Sequence, residues 1–270
     1  MRRVVVLLPL LVAAALGGVV SASAAPAPAP GERWALLVGV DRFQGATRPN
    51  YGAVADVADV RQALLKNGWA DDHIRVLTDG GATASTIRAG LRWLVERSGP
   101  NSLSVFHYSG HVKQVGSTEY LWPHDNAFIA DTELAGSLRQ LKGQAWIDIS
   151  GCEAAGFDEG VSSPSRVFTA SSRSNEKSYE LPDMRQSVFT LLMVEQAMLQ
   201  GQGDTNRDGR VSVQEAFAHA APRAPRITAG QAQGAQHPQI AGGDGTPLYL
   251  DAVPDAPPPK PRTCFLIWCS

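Results

Sequence analysis

Cys152 and His111 are the two side chains in this sequence best suited to covalent chemistry. Each follows an apolar, β-like run and a small-residue turn. Residues 103–108 lead into Ser109-Gly110-His111, and residues 144–149 lead into Ser150-Gly151-Cys152-Glu153. A thiol becomes a nucleophile when a proton acceptor stands beside it, and the fold makes that pairing, not sequence proximity. Imidazole suits the acceptor role because its ordinary pKa lies near neutrality. The implied chemistry is acyl transfer. Cys152 attacks a carbonyl, His111 lowers the thiol's effective pKa and returns the proton, and N–H groups at Gly110 and Cys152 hold the oxyanion. His107 lies inside the strand and is expected to be packed or hydrogen-bonded. Zinc is disfavoured: no Cys-x-x-Cys or His-Glu-x-x-His accompanies Cys152, His107, His111 and His124.

Elements must bring the two together. Residues 34–40 form a continuous apolar run, the pattern of a strand buried on both faces. A polar loop, 41–51, leaves its carboxyl end. Residues 54–67 read as an amphipathic helix with Val54, Val57 and Leu64 on one face, stopped by Asn67-Gly68. A short strand at 73–77 and a turn at 78–81 follow. Thr83 or Ser85 then caps a helix whose apolar face is Ile87, Leu91, Leu94 and Val95. This strand-helix alternation predicts an α/β three-layer sandwich, with a mostly parallel central sheet and helices on both faces. Ligand chemistry in such sheets belongs beyond the strands' carboxyl ends, where His111 and Cys152 both fall. Downstream, the patterns predict a short β-element at 119–123, a helix at 131–141 and a strand at 166–170. A polar loop at 171–183 brings Tyr179 and Glu180 to the active face, and a strongly apolar helix covers 187–199. Residues 221–247 read as a long loop with poor packing potential, and 248–250 as a last strand.

Residues 204–215 carry a second motif. Asp204, Asn206, Asp208, Ser212 and Glu215 stand at positions 1, 3, 5, 9 and 12 of an EF-hand-like loop. Gly209 takes position 6, and the carbonyl of Arg210 takes position 7. The expected ligand is calcium, in a structural role that pins two helices.

Composition bounds the rest. Met1-Arg2-Arg3 and the apolar run after it predict a signal peptide over 1–25, cut near Ala24 or Ala25. A retained membrane anchor suits the Ala-rich end less well, and stable membrane insertion is not expected. Residues 26–31 read as an Ala/Pro linker, 32–250 as the folded domain, and 251–270 as a Pro-rich tail with Cys264 and Cys269. Export permits a disulfide between those two and leaves Cys152 as a free thiol that needs a reason. The formal net charge is −2, and losing Arg2 and Arg3 makes it −4. No basic stripe with interleaved aromatics appears, so nucleic acid is not an expected partner.

Taken together, these features resemble the caspase/metacaspase superfamily of cysteine peptidases over residues 34 to about 239. The resemblance rests on the strand at 34–40, Gly52-Ala-Val-Ala-Asp56, Leu77-Thr-Asp79, Tyr108-Ser-Gly-His111 and Leu121-Trp-Pro-His-Asp125. Phe168-Thr-Ala-Ser171, Phe189-Thr190 and Gln236-His-Pro-Gln239 continue it. It implies a secreted endopeptidase acting on peptides or proteins through His111 and Cys152, cutting after Arg or Lys. In metacaspases the residues matching Asp56 and the acid two before the cysteine form an acidic primary pocket. Here Ser150 takes the second place, so Asp125 or Asp148 would have to compensate. Val112 also replaces the usual Gly after the histidine. Those departures keep open a catalytically inactive, caspase-like binding protein, and an amidase is a further alternative. Some relatives are cut between their large and small parts; the matching loops here are 159–166 and 173–177.

Overall fold

A computed structural model of the chain describes residues 32–251 apart from Pro182. The expected signal peptide, the linker before Glu32, and the Cys264 and Cys269 tail lie outside the described residues.

Strand β1, Arg33–Gly39, explains the architecture by its alternation. Leu36 and Val38 enter one apolar layer with Ile87, Leu91 and Leu94 of helix α2, Ala84–Arg97. Ala35 and Leu37 enter the opposite layer with Val57, Val60 and Leu64 of helix α1, Ala53–Lys66. Both faces of the strand are covered, which is why no polar residue interrupts the run.

Strand β2, Ile74–Thr78, and strand β3, Leu103–Ser109, flank β1 in parallel. Antiparallel β4 (Val112–Val115), β5 (Thr118–Leu121) and β6 (Ile129–Ala130) form a small second sheet before helix α3, Asp131–Leu138. Strand β7, Gln144–Ser150, pairs in parallel with β3, and β8, Arg166–Ala170, pairs in parallel with β7. With β9, Gln239–Gly242, at its far edge, the main sheet has the order β2-β1-β3-β7-β8-β9. The chain moves one way from β1 to β2 and the other way to β3, so the topological switch point lies between β1 and β3.

Helix α4, Val188–Thr190, runs on as a wide helical segment over Leu191–Leu199, bonded i to i+5 where Gln200 N–H meets the Glu195 carbonyl. With α5, Val213–Ala220, it covers the α1 side of the sheet. The expected apolar helix is therefore present with a looser winding.

The segment after α5 departs from the sequence expectation. Residues 221–247 contain a short helix, α6 (Ala224–Thr228), and the antiparallel edge strand β9 (Gln239–Gly242), which pairs with β8. An edge strand needs only backbone hydrogen bonds from its neighbour, so Gln-Ile-Ala-Gly carries little pattern to read. The expected strand at 248–250 is absent. Leu248 and Leu250 are buried, but their backbone serves the helices: the Leu248 carbonyl accepts from Val213 N–H and the Leu250 carbonyl from Trp69 Nε1. Among the described residues no helix is long and apolar enough to cross a membrane.

One buried polar cluster crosses the sheet. His107 and Asp148 are register partners on β3 and β7, with Nδ1 and Oδ2 2.7 Å apart. Thr169 Oγ1 donates to Asp148 Oδ1 at 2.5 Å and accepts from Trp146 Nε1 at 2.8 Å. Asp148→Ala strands both donors in a dry interior and is expected to lower stability by about 3 kcal/mol in urea denaturation.

Candidate active site

Strand register sets the site. Ser109 of β3 and Ser150 of β7 are partners, so His111 and Cys152 each stand two residues beyond matched strand ends. Both line one cleft of about 250 Å³, together with Arg48, Pro49, Asn50 and Tyr51 from the loop after β1 and Ser178, Tyr179 and Glu180 from the loop after β8. Ser109, Gly110, Ser150, Gly151 and Ser187 complete it. The cleft opens over the carboxyl ends of the strands at the switch point.

The two turns are packed against each other. Gly110 N–H donates to the Ser150 carbonyl at 3.1 Å. A Cβ at Gly151 would stand 2.8 Å from Val112 Cγ2 and 2.9 Å from the Gly110 carbonyl, so this turn admits only glycine. Val112, the replacement for the usual Gly, is the first residue of β4, where a β-branched side chain suits a strand. Glu153 adopts a left-handed conformation, φ 50°, and is buried; its carboxylate pairs with Lys177. The Cys152 turn is thereby tied to the 173–177 loop.

His111 Nε2 lies 2.7 Å from the Arg48 carbonyl. A carbonyl only accepts, so Nε2 carries the proton and Nδ1 keeps the lone pair. Phe43 stacks on the imidazole at 4.9 Å and 14° interplanar angle, and Trp122 tilts against it at 5.9 Å. Burial holds the His111 pKa below its ordinary value, with the Arg48 charge adding to that effect and the Arg48 carbonyl opposing it. Cys152 Sγ lies 3.9 Å from the Ser178 carbonyl. Burial pushes the thiol pKa up; Glu153 and Glu180 add to the rise, and the Lys177 charge opposes it. This departs from the expectation of a thiol made acidic by its histidine. Both shifts disfavour the charged forms, the imidazolium at His111 and the thiolate at Cys152.

The other expected site residues divide. Ser150 lines the cleft and donates from Oγ to Ser187 Oγ at 3.0 Å. Asp56 is fully buried beneath it, accepting from Ser109 Oγ at 2.6 Å and Ser187 N–H at 3.0 Å. Asp148 is consumed by His107 and Thr169 within the sheet. Asp125 accepts from Ala84 N–H at the start of α2 and does not line the cleft. Neither can compensate for Ser150 as expected, because one is buried in the sheet and the other holds a helix end. The expected oxyanion donor at Gly110 is also spent, on the Ser150 carbonyl. Among the described residues Cys152 N–H has no protein acceptor.

Phe43, Arg48, Asn50 and Ser178 enter the site without having been singled out by sequence. The 41–51 loop was legible as a loop at a strand's carboxyl end, but nothing in its composition shows which backbone carbonyl meets the imidazole.

The 204–215 loop is folded around its own acids. Asp204 accepts from Asp208 and Gly209 N–H at 3.1 and 3.0 Å. Asn206 Oδ1 accepts from Asp208 N–H at 2.8 Å, and Asp208 Oδ1 accepts from Arg210 N–H at 2.9 Å. Glu215 reaches back to Ser212 N–H and Oγ at 3.0 and 2.8 Å, and to Thr205 Oγ1 at 3.3 Å. The donors are hard oxygens of the kind calcium prefers. Among the described residues no three His, Cys, Asp or Glu side chains are grouped as a ready-made metal site.

With this geometry in hand, comparison with known proteins is decisive for the family. The caspase domain profile matches residues 32–245. The chain belongs to the caspase domain family. Metacaspase-1 of Mycosarcoma maydis is 37% identical over 95 residues, 33% of this chain and 23% of that protein. Metacaspase-1 of Candida albicans is 34% identical over 124 residues, 37% of this chain and 28% of the relative. Metacaspase-3 of Arabidopsis thaliana is 35% identical over 97 residues, 33% and 26% respectively. The matched stretches thus span about a quarter of these curated relatives. A crystal structure of a Geobacter sulfurreducens protein shares the fold, with TM-score 0.61 at 14% identity over 83% of this chain and 98% of that one.

In this caspase domain Phe43→Ala admits water to the imidazole. The His111 pKa should rise toward its ordinary value, read by NMR titration of the ring, whereas Phe43→Tyr should leave it low.

Proposed function

We propose that this caspase-family chain is an exported cysteine endopeptidase that cuts peptide bonds after Arg or Lys. The observation that carries the reading is the shared cleft: an imidazole whose Nδ1 is left free by the Arg48 contact and a thiol stand level at the ends of adjacent parallel strands. In the first step the Cys152 S–H proton passes to His111 Nδ1 as sulfur bonds to the substrate carbonyl carbon. The oxyanion is held by Cys152 N–H. His111 then protonates the departing amine, the C–N bond breaks and a thioester remains. Water, deprotonated by His111, attacks the thioester, and the S–C bond breaks. A neutral dyad suits this sequence because the proton moves with the attack. Substrates are peptides or proteins. Export rests on the basic and apolar N-terminal sequence and is tested by N-terminal sequencing of the secreted product.

The test is turnover of fluorogenic peptide amides carrying Arg, Lys, Asp or Ala at the primary position. Wild type should cleave after Arg or Lys, and Cys152→Ala and His111→Ala should each lose roughly 10⁴-fold or more in kcat. Folded wild-type protein without turnover would instead support the binding-protein reading that Val112 and the altered nucleophile context suggest.

The 204–215 loop is proposed to hold one calcium ion through Asp204, Asn206, Asp208, the Arg210 carbonyl, Ser212 and Glu215, drawing the acids together. Its role would be to fix α5 against the preceding wide helix. Calcium at about 100 times its Kd should stabilise the fold by about 2.7 kcal/mol, read as a raised Tm. Asp204→Ala should abolish that rise.

A further inference from the structure

The carboxylate presented to substrate is not the one the family pattern would select. Asp56 lies wholly under the cleft floor, its oxygens taken by Ser109 and Ser187. Ser150 stands where a second acid would be, so the floor offers hydroxyls from Ser109, Ser150 and Ser187. Among the described residues lining the cleft, Glu180 is the only carboxylate. Its position is fixed: Oε2 accepts from Tyr51 N–H at 2.7 Å and Oε1 from Gly52 N–H at 3.2 Å, at the entry to α1. A carboxylate has about four acceptor lone pairs, so each oxygen retains capacity for another donor.

Among the described residues no basic side chain forms an ion pair with Glu180, although Arg48 shares the cleft lining. Asp56 on α1 and Asp41 in the loop after β1 are the charges that act most on Glu180, and both are acidic. Asp41 is itself occupied by Ala53 and Val54 N–H at 2.8 and 3.2 Å. Arg48, His111, Cys152 and Tyr179 share the lining. A half-buried anion among like charges is costly until a cation arrives. A substrate guanidinium or ammonium would supply that cation.

We propose that Glu180 is the residue that reads the primary side chain, pairing directly with the substrate's Arg or Lys, while Asp56 acts through Ser109 and Ser187 as a positioning residue. This rests on the basic-residue peptidase reading above. Burial, helped by Asp56 and Asp41, pushes the Glu180 pKa up to about 7. Below that pH the carboxyl is neutral and binds a cation weakly. Above it the carboxylate is charged, so basic selectivity strengthens as pH rises through neutrality.

The experiment compares two fluorogenic peptides differing only in arginine or citrulline, its neutral isostere, at the primary position. Wild type, Glu180→Gln and Asp56→Asn are assayed between about pH 5.5 and 8.5. Taking the ratio of kcat/KM for the two peptides cancels the titrations of His111 and Cys152. In wild type the ratio should favour arginine and climb through about pH 7. Glu180→Gln should lower it about thirtyfold and flatten its pH dependence. A role limited to holding Tyr51 and Gly52 would slow both peptides together and leave the ratio intact, overturning the proposal. A high ratio that survives in Glu180→Gln and collapses in Asp56→Asn would overturn it while the peptidase reading stands. A wild-type ratio near one would overturn basic selection and Glu180's role together, and no cleavage of either peptide by folded protein would overturn the peptidase itself.

Discussion

The parallel register between β3 and β7 is the constraint on which the rest depends. It matches Ser109 with Ser150, so the residues just beyond, His111 and Cys152, meet at the same level. The same register sets His107 opposite Asp148 and closes the polar cluster with Thr169 and Trp146 inside the sheet. Slipping one strand by a single residue would turn His107 and Asp148 to opposite faces and separate the dyad. Two buried apolar layers make such a slip costly. Stability of the core and geometry of the site are therefore one problem solved by one pairing.

Burial around that pairing governs the chemistry. Phe43 and Trp122 keep water from the imidazole, and the cleft walls keep it from the thiol. Each loses solvation of its charged form, so His111 becomes a weaker base and Cys152 a weaker acid. Both changes disfavour charge separation between the thiol and the imidazole. Burial likewise raises Asp56, beneath the cleft floor, and Glu180, in the cleft lining.

Much of the fold was legible because it obeys simple periods. The runs at 34–40, 103–108 and 144–149 became central strands, and Thr83 became the cap of α2, closing a capping box with Thr86. Legibility failed where side-chain pattern is not the determinant. The edge strand β9 is defined by its neighbour's hydrogen bonds, and the Leu248 and Leu250 carbonyls accept from Val213 N–H and the Trp69 indole N–H. Site residues followed the same division. Cys152 and His111 were marked by residue type at strand ends. Asp125 and Asp148 had the right chemistry for a pocket, but one holds a helix start and the other answers a buried histidine.

By itself, the sequence determined the α/β alternation, the identity of the thiol and imidazole, and the family, since these follow from residue type, local period and motif order. The tertiary structure decided which donors remain free, which carboxylates meet solvent and which tautomer His111 adopts. Gly110 N–H is claimed by Ser150, Asp56 is covered by two serines, and Glu180 arrives from a distant loop to stand in the cleft. Such outcomes depend on contacts between residues far apart in the chain. The desolvation and hydrogen-bond competition that fix them exist only once the layers have closed.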